Sequence, residues 1–194
     1  MAKLLLASAS IRRKELLDQI GVQYQSAPMD IDESVKENEQ AADYVERLAK
    51  EKAQAGIMAN PDMVVLAADT TVVVAGSILG KPDDEQEARE MLRQLSGSTH
   101  QVLTGISVAK YIQGELKIDS QVVLTDVFFA DITEQQIEQY IKTGEPMGKA
   151  GAYGIQGKAA LFVDRIQGSY SNVVGLPLAE TGKLLEQYNI PLWH

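Results

Sequence analysis

MVVLAADTTVVVAG, residues 63–76, holds two apolar runs split by Asp69-Thr70-Thr71. A run of Val, Leu and Ala this continuous reads as a buried strand. Asp69 then falls at the strand's end, where α/β sheets keep their ligand crevices. Two readings of Asp69 stand side by side. One is an Asx-turn that caps the connection to the next strand. The other is a carboxylate that binds a hard cation or activates water.

Outward from this stretch the pattern alternates between helix and strand. Upstream, residues 41–60 carry helical periodicity through Tyr44, Val45, Leu48, Lys52 and Ala55. Residues 3–9 read as a strand, Ser10 to Ile20 as a short helix closed by Gly21, and Val22–Ala27 as a second strand. The acidic segment 29–39 reads as a surface loop. Downstream, residues 83–97 predict a helix opened by Asp83 or Asp84, and 99–130 a long antiparallel hairpin turning at Gln113-Gly114. Residues 133–146 predict a helix capped by Thr133. A glycine-punctuated segment follows, then a strand from Ala159 and a last helix from about Pro177 to Gln187. The mixture predicts an α/β fold with both parallel crossovers and antiparallel hairpins.

Composition narrows the chemistry. The 194 residues include no cysteine, so neither a disulfide framework nor a thiolate metal site is available. His100 and His194 alone could supply imidazole, which argues against a histidine-rich zinc site. The apolar stretch in MAKLLLASAS is too short for a signal peptide or membrane span, so the expected location is the cytoplasm. A net charge of −9 repels nucleic acid and anionic membranes. An anionic ligand must therefore be held by local positive groups.

Such groups exist. In LLLASASIRRKEL, residues 4–16, Ser10 is a natural N-cap, and Arg12, Arg13 and Lys14 fall in the first helical turn. Cations there oppose the helix dipole. The segment is either a solvated basic helix start or an anion site, in which backbone N–H groups, the Ser8 and Ser10 hydroxyls and the two guanidinium groups surround phosphate oxygens. Lys81 precedes Pro82, which keeps its backbone extended. Lys52 shares a helical stripe with Leu48 and Ala55. Taken singly, each lysine reads as a snorkelling surface cation, and Glu33 as a solvated loop acid. GKAGAYGIQGKAAL, residues 148–161, lacks P-loop spacing. Its Gln156 either faces water or reads a base edge.

Taken together, LLLASASIRRKELL, IDES, ERLAKEKA, VVLAADTTVVV, GKPDDEQEAREMLRQLSGSTHQVLTGISV, EPMGKAGAYGIQGKAALFV and YSNVVGLPL resemble the Maf family of nucleotide pyrophosphatases nearly end to end. The resemblance implies a single Maf-like domain over 1–194, with an elongated mixed sheet, flanking helices and two lobes around a nucleotide cleft, as in inosine triphosphatase-like folds. It implies a cytoplasmic nucleoside triphosphate diphosphatase requiring Mg²⁺ or Mn²⁺, often a homodimer, that releases pyrophosphate and a nucleoside monophosphate. Asp69 matches the family's proposed general base. Arg12, Thr70 and Gln156 match the positions associated with base choice, in the combination of the dTTP and UTP branch. Ser8, Arg13, Glu33, Lys52 and Lys81 match the remaining polar wall. The expected phosphate-binding set is Ser8, Ser10, Arg12, Arg13, Lys52 and Lys81, with Glu33 and Asp69 as metal ligands. Two rival readings remain: a nucleotide-binding regulator of cell division with slow or incidental hydrolysis, and a pyrophosphatase of modified nucleotides. Ile11 and Gly148 depart from the family's usual proline and aspartate.

Overall fold

The structure is a computed structural model and describes residues 3–193. The strands are β1 (Leu4–Leu6), β2 (Tyr24–Ser26), β3 (Val64–Val74), β4 (Ser77–Leu79), β5 (Thr99–Ile112), β6 (Glu115–Phe129) and β7 (Val163–Gln167). The helices are α1 (Ile11–Gln19), α2 (Ala41–Ala59), α3 (Glu85–Leu95), α4 (Glu134–Ile141), α5 (Tyr170–Val174) and α6 (Leu178–Gln187). The strand order is β2-β1-β3-β5-β6-β7, with β4 paired to β3. The fold is mixed α/β. β1 is parallel to both β2 and β3, whereas β4 is antiparallel to β3 and β7 to β6.

The chain divides into two compact units. The first comprises residues 1–69, 104–123 and 175–194, and the second 70–103 and 124–174. In the first unit the connection β1-α1-β2 leads to one side of β1, and β2-α2-β3 crosses over to the other. The order β2-β1-β3 therefore has a switch point at the carboxyl end of β1, beside the middle of β3, where an α/β sheet opens a crevice. Leu6 is in register with Leu66, so the residues just after Leu6 and those just after Leu66 emerge at that same end.

Helix α2 covers this part of the sheet. Val45, Leu48, Ala49, Lys52, Ala53, Gly56 and Ile57 form its buried stripe. Two glycines allow the close approach. A methyl group on Gly56 would lie 2.8 Å from Val65 Cγ1. One on Gly105 of β5 would lie 2.5 Å from the Val45 carbonyl carbon and 2.9 Å from the Glu46 amide nitrogen. The second unit has its own core, in which Met91, Leu92 and Leu95 of α3 and Ile137, Tyr140 and Ile141 of α4 pack with Val72, Val127 and Phe129. Its helices start on side-chain caps: Asp84 accepts from the Glu87 amide, and Thr133 forms a capping box with Gln136.

Three details differ from the sequence reading. β3 is one strand through Asp69-Thr70-Thr71, because the β-branched threonines and valines that follow keep an extended backbone. Asp69 is thus inside a strand and does not cap a turn. Residues 158–162 form a 3-10 helix, so β7 begins at Val163 and not at Ala159. The short elements β4 and α5 carry too few residues to show a period.

The α2 approach yields a stability prediction. Gly105→Ala drives a methyl into helix backbone, which cannot rotate away, and should cost about 3 kcal/mol. Gly80→Ala, with open space around the added methyl, should be close to neutral. Urea unfolding of both variants checks the contrast.

Candidate functional site

In the first unit, Val65, Ala67 and Asp69 point to one face of β3 because side chains alternate along a strand. That face meets α2. Gly56 lies against Val65, and one helical turn earlier Lys52 reaches Asp69, its Nζ 2.7 Å from Oδ1. Four residues advance about 13 Å along a strand but about 6 Å along a helix. A long side chain is needed to close that difference, and lysine supplies it. Lys52 also pairs with Glu33 at 2.6 Å. One ammonium therefore joins two carboxylates. Lys52 and Asp69 are each only 8% exposed, which overturns the reading of Lys52 as a snorkelling surface cation.

Glu33 sits on a loop without regular structure, and Arg47 of α2 fixes that loop. Its guanidinium grips Glu39 through Nε at 2.6 Å and Nη2 at 2.8 Å, and Nη2 also donates to the Ser34 carbonyl at 3.0 Å. The Arg47 bond holds the Glu39 carboxyl near 2, against burial that acts the other way. Tyr44, one turn before Arg47, donates its hydroxyl to the Glu33 carbonyl at 2.9 Å. Burial, with the charges of Asp69 and Glu33, pushes the Tyr44 phenol up to about 12.

The basic segment follows directly on β1. Ser10 caps α1 by accepting from the Arg13 amide at 3.4 Å, so the helix start is intact with Ile11 in place of proline. Ser8 Oγ accepts from the Ser10 amide at 3.1 Å and from Arg13 Nη1 at 3.2 Å. Arg13 Nε donates to the Gly175 carbonyl at 2.8 Å. Burial pulls the Arg13 guanidinium below its usual value, Asp69 and Glu33 pull it back up, and Arg12 adds to the lowering. These through-space effects tie Arg13 to Asp69 and Glu33, and Arg12 to Arg13. Ser8, Ser10, Arg13, Glu33, Lys52 and Asp69 thus form a mixed-charge site in the first unit, with Arg12 next to Arg13 at the start of α1.

Thr70, Lys81 and Gln156 belong to the second unit. Thr70 follows Asp69 in β3 and is half-buried, while Lys81 and Gln156 are exposed. The Gly151 amide donates to the Gly80 carbonyl at 3.0 Å, which joins the Lys81 segment to the loop bearing Gln156. That loop is anchored at Tyr153, whose hydroxyl lies 2.8 Å from His100 Nε2 in a buried aromatic cluster with Phe129. Gly148 has φ of 72°, a left-handed conformation that glycine adopts more easily than aspartate. His194 lies outside the described residues.

Among the described residues, no group of three or more His, Cys, Asp or Glu side chains is set to hold a metal. Glu33 and Asp69 supply two carboxylates within reach of one nitrogen. That donor set fits a hard divalent cation that draws its other ligands from phosphate oxygens and water.

The family model described as Maf-like protein matches residues 3–188. The chain belongs to the Maf family. The dTTP/UTP pyrophosphatase of Hahella chejuensis is 53% identical over 194 residues, covering 98% of this chain and 94% of the relative. That of Chromobacterium violaceum is 48% identical over 195 residues, covering 98% and 96%. That of Bacillus pumilus is 48% identical over 190 residues, covering 98% of each. The solved Staphylococcus aureus Ham1 protein aligns over 66% of this chain and 72% of its own, at 17% identity and a TM-score of 0.44.

Within this Maf-family chain, sequence reasoning missed Tyr44, Arg47 and Glu39, which hold the Glu33 loop. Glu39 and Arg47 are joined across a loop-to-helix boundary, which no periodic pattern marks. Arg47→Met should release that loop, seen as faster hydrogen exchange at the amides of residues 33–39 with little change at Leu48 or Ala49. His100 gives a pH prediction. Burial lowers its imidazole from 6.5 to about 4. The unfolded chain therefore takes up a proton that the folded chain refuses, so stability falls as pH drops from 6.5 to 4, by about 3 kcal/mol. Thermal melts of the native chain and His100→Gln across that range should differ in slope.

Proposed function

We propose that the chain is a nucleoside triphosphate pyrophosphatase that hydrolyses dTTP and UTP to the monophosphate and pyrophosphate. The observation that carries this reading is the Glu33–Lys52–Asp69 cluster, acting on Arg13 at the capped start of α1, by the end of β1 and the middle of its parallel neighbour β3. Names shared by relatives near 50% identity support the substrate class. Among the described residues no helix is long and apolar enough to cross a membrane. The cytoplasmic location and the homodimer belong to the same proposal, on the family likeness.

The triphosphate is a polyanion entering a protein of net charge −9, so local cations must overcome the global field. In the first unit Arg12, Arg13 and Lys52 supply them, with the helix N-terminus after Ser10; Lys81 is proposed as a further phosphate-binding residue on the family likeness. Ser8, held by Arg13, offers a hydroxyl to a phosphate oxygen. Asp69 orients the attacking water and takes its proton as the bond to the α-phosphorus forms. The α–β anhydride bond breaks with its electron pair on the departing pyrophosphate, whose charge the basic side chains hold. Glu33 and Asp69 are the proposed ligands of Mg²⁺ or Mn²⁺, and the chemistry such an ion supplies when bound is charge neutralisation and a more acidic water. Gln156 pairs its amide with the imide edge of thymine or uracil, and Arg12 and Thr70 are the other two residues proposed for base choice.

Incubation with nucleoside triphosphates in Mg²⁺ or Mn²⁺, with pyrophosphate and orthophosphate measured separately, tests the reaction. Pyrophosphate should appear from dTTP and UTP and be lost in Asp69→Asn. Gln156→Glu should lower the preference for UTP over CTP. Pyrophosphate from modified nucleotides alone would move the substrate, and binding without release would favour the regulator.

A further inference from the structure

The turn that presents Gln156 is a built object. The Gly157 amide donates to the Gly154 carbonyl at 3.0 Å, closing residues 154–157 with Gln156 at the third position. Both ends of this turn are glycines with ordinary backbone angles, so neither is required by a left-handed conformation. Each has a side chain packed closely over its α-carbon. A methyl on Gly157 would lie 2.7 Å from Glu145 Oε2 and closer still to Oε1. A methyl on Gly154 would lie 3.0 Å from Lys149 Cε and 3.1 Å from Cδ.

The two clamping side chains are coupled. Lys149 lays its aliphatic stem over Gly154 and donates its ammonium to the Glu145 carbonyl, four residues earlier. The Glu145 carboxylate accepts from the Lys158 amide at 3.0 Å and from the Ala159 amide at 3.4 Å, both just past the turn. It also accepts from the Tyr140 hydroxyl at 3.0 Å, which ties it to α4. Burial disfavours the Glu145 charge, but the Lys158 amide, the Tyr140 hydroxyl and the Ala159 amide outweigh it and hold the carboxyl below the usual range. The carboxylate thus serves as a fixed acceptor on which the exit of the turn is hung. The lysine stem closes the entry.

From this geometry we infer that Glu145 and Lys149 are positioning residues for Gln156, setting base selectivity through the turn without touching the nucleotide. The inference rests on the reading of Gln156 as the base-recognising side chain. A glutamine pairs with an imide edge only when its amide lies in the plane of the base, so loosening the turn weakens recognition more than it weakens chemistry at Asp69.

The test compares kcat and KM for UTP and CTP in the full chain and in Glu145→Gln, Lys149→Met, Gln156→Glu and the double variant Glu145→Gln/Gln156→Glu. Glu145→Gln turns an N–H toward amides that need an acceptor. Lys149→Met keeps a stem over Gly154 but removes the ammonium, so it remains informative where Glu145→Gln fails to fold. The expected result is a fall in the UTP preference of about tenfold in each single clamp variant, the scale of one hydrogen bond. It should appear as a raised KM for UTP with kcat nearly unchanged. In the double variant the preference should equal that of Gln156→Glu alone, because the clamp acts through Gln156. An unchanged preference in the clamp variants, with Gln156→Glu altering it, overturns the inference and spares the Gln156 reading. So does a double variant whose losses add. An unchanged preference in Gln156→Glu itself removes the reading, and the inference with it.

Discussion

A buried ammonium between two carboxylates is the constraint on which the first unit depends. Lys52 lies in the middle of the apolar stripe of α2, between Leu48 and Gly56, where a charge is tolerated only when it is paired and hydrogen-bonded. Asp69 and Glu33 meet that condition. Asp69 in turn could not sit inside a strand flanked by Ala68 and Val72 without a cation to face. Removing the lysine would leave the buried Asp69 carboxylate without its ion-pair partner. The group that stabilises the local fold is also the one proposed to meet the phosphates.

Closeness of helix to sheet makes that pairing possible. Gly56 against Val65 and Gly105 against the Val45–Glu46 backbone bring α2 nearer to the strands than alanine at either position would allow. With the helix that close, an extended lysine reaches the strand. The Glu33 loop needs a separate restraint. Arg47 and Tyr44 provide it from half-buried positions of α2. A single helix therefore sets all three members of the cluster: one directly, one by packing against its strand, and one by tethering its loop.

Legibility in the sequence followed the physical range of each signal. The long periodic elements α2, α3, β5 and β6 were readable, as were the caps at Ser10 and Thr133 and the turn at Gln113-Gly114, since local pattern and local hydrogen bonds specify them. The β4 strand and α5 were not, because three and five residues show no period. For the site, residue chemistry nominated Asp69, Arg12 and Arg13, and the family resemblance added Glu33, Lys52 and Gln156. Residues that act by holding others were invisible. Arg47 looks like any surface arginine until Glu39 is folded back onto it, and Glu145 looks like a loop acid until its oxygens meet the amides of Lys158 and Ala159.

Helices α1 and α3, both capped by a side chain, stand in opposite relation to the helix dipole. Helix α3 has Glu85 and Glu87 in its first turn and Arg93 in its last, the arrangement that stabilises a helix in isolation. Helix α1 has no acid in its first turn and no base in its last, and it begins Ile11-Arg12-Arg13. Each cation there gives up about 0.3–1 kcal/mol against the dipole. Part of that cost is offset within the first unit, because Asp69 and Glu33 act on Arg13 in the direction opposite to burial. A helix that needed only to be stable would resemble α3, and the triphosphate proposed as substrate accounts for the cations that open α1.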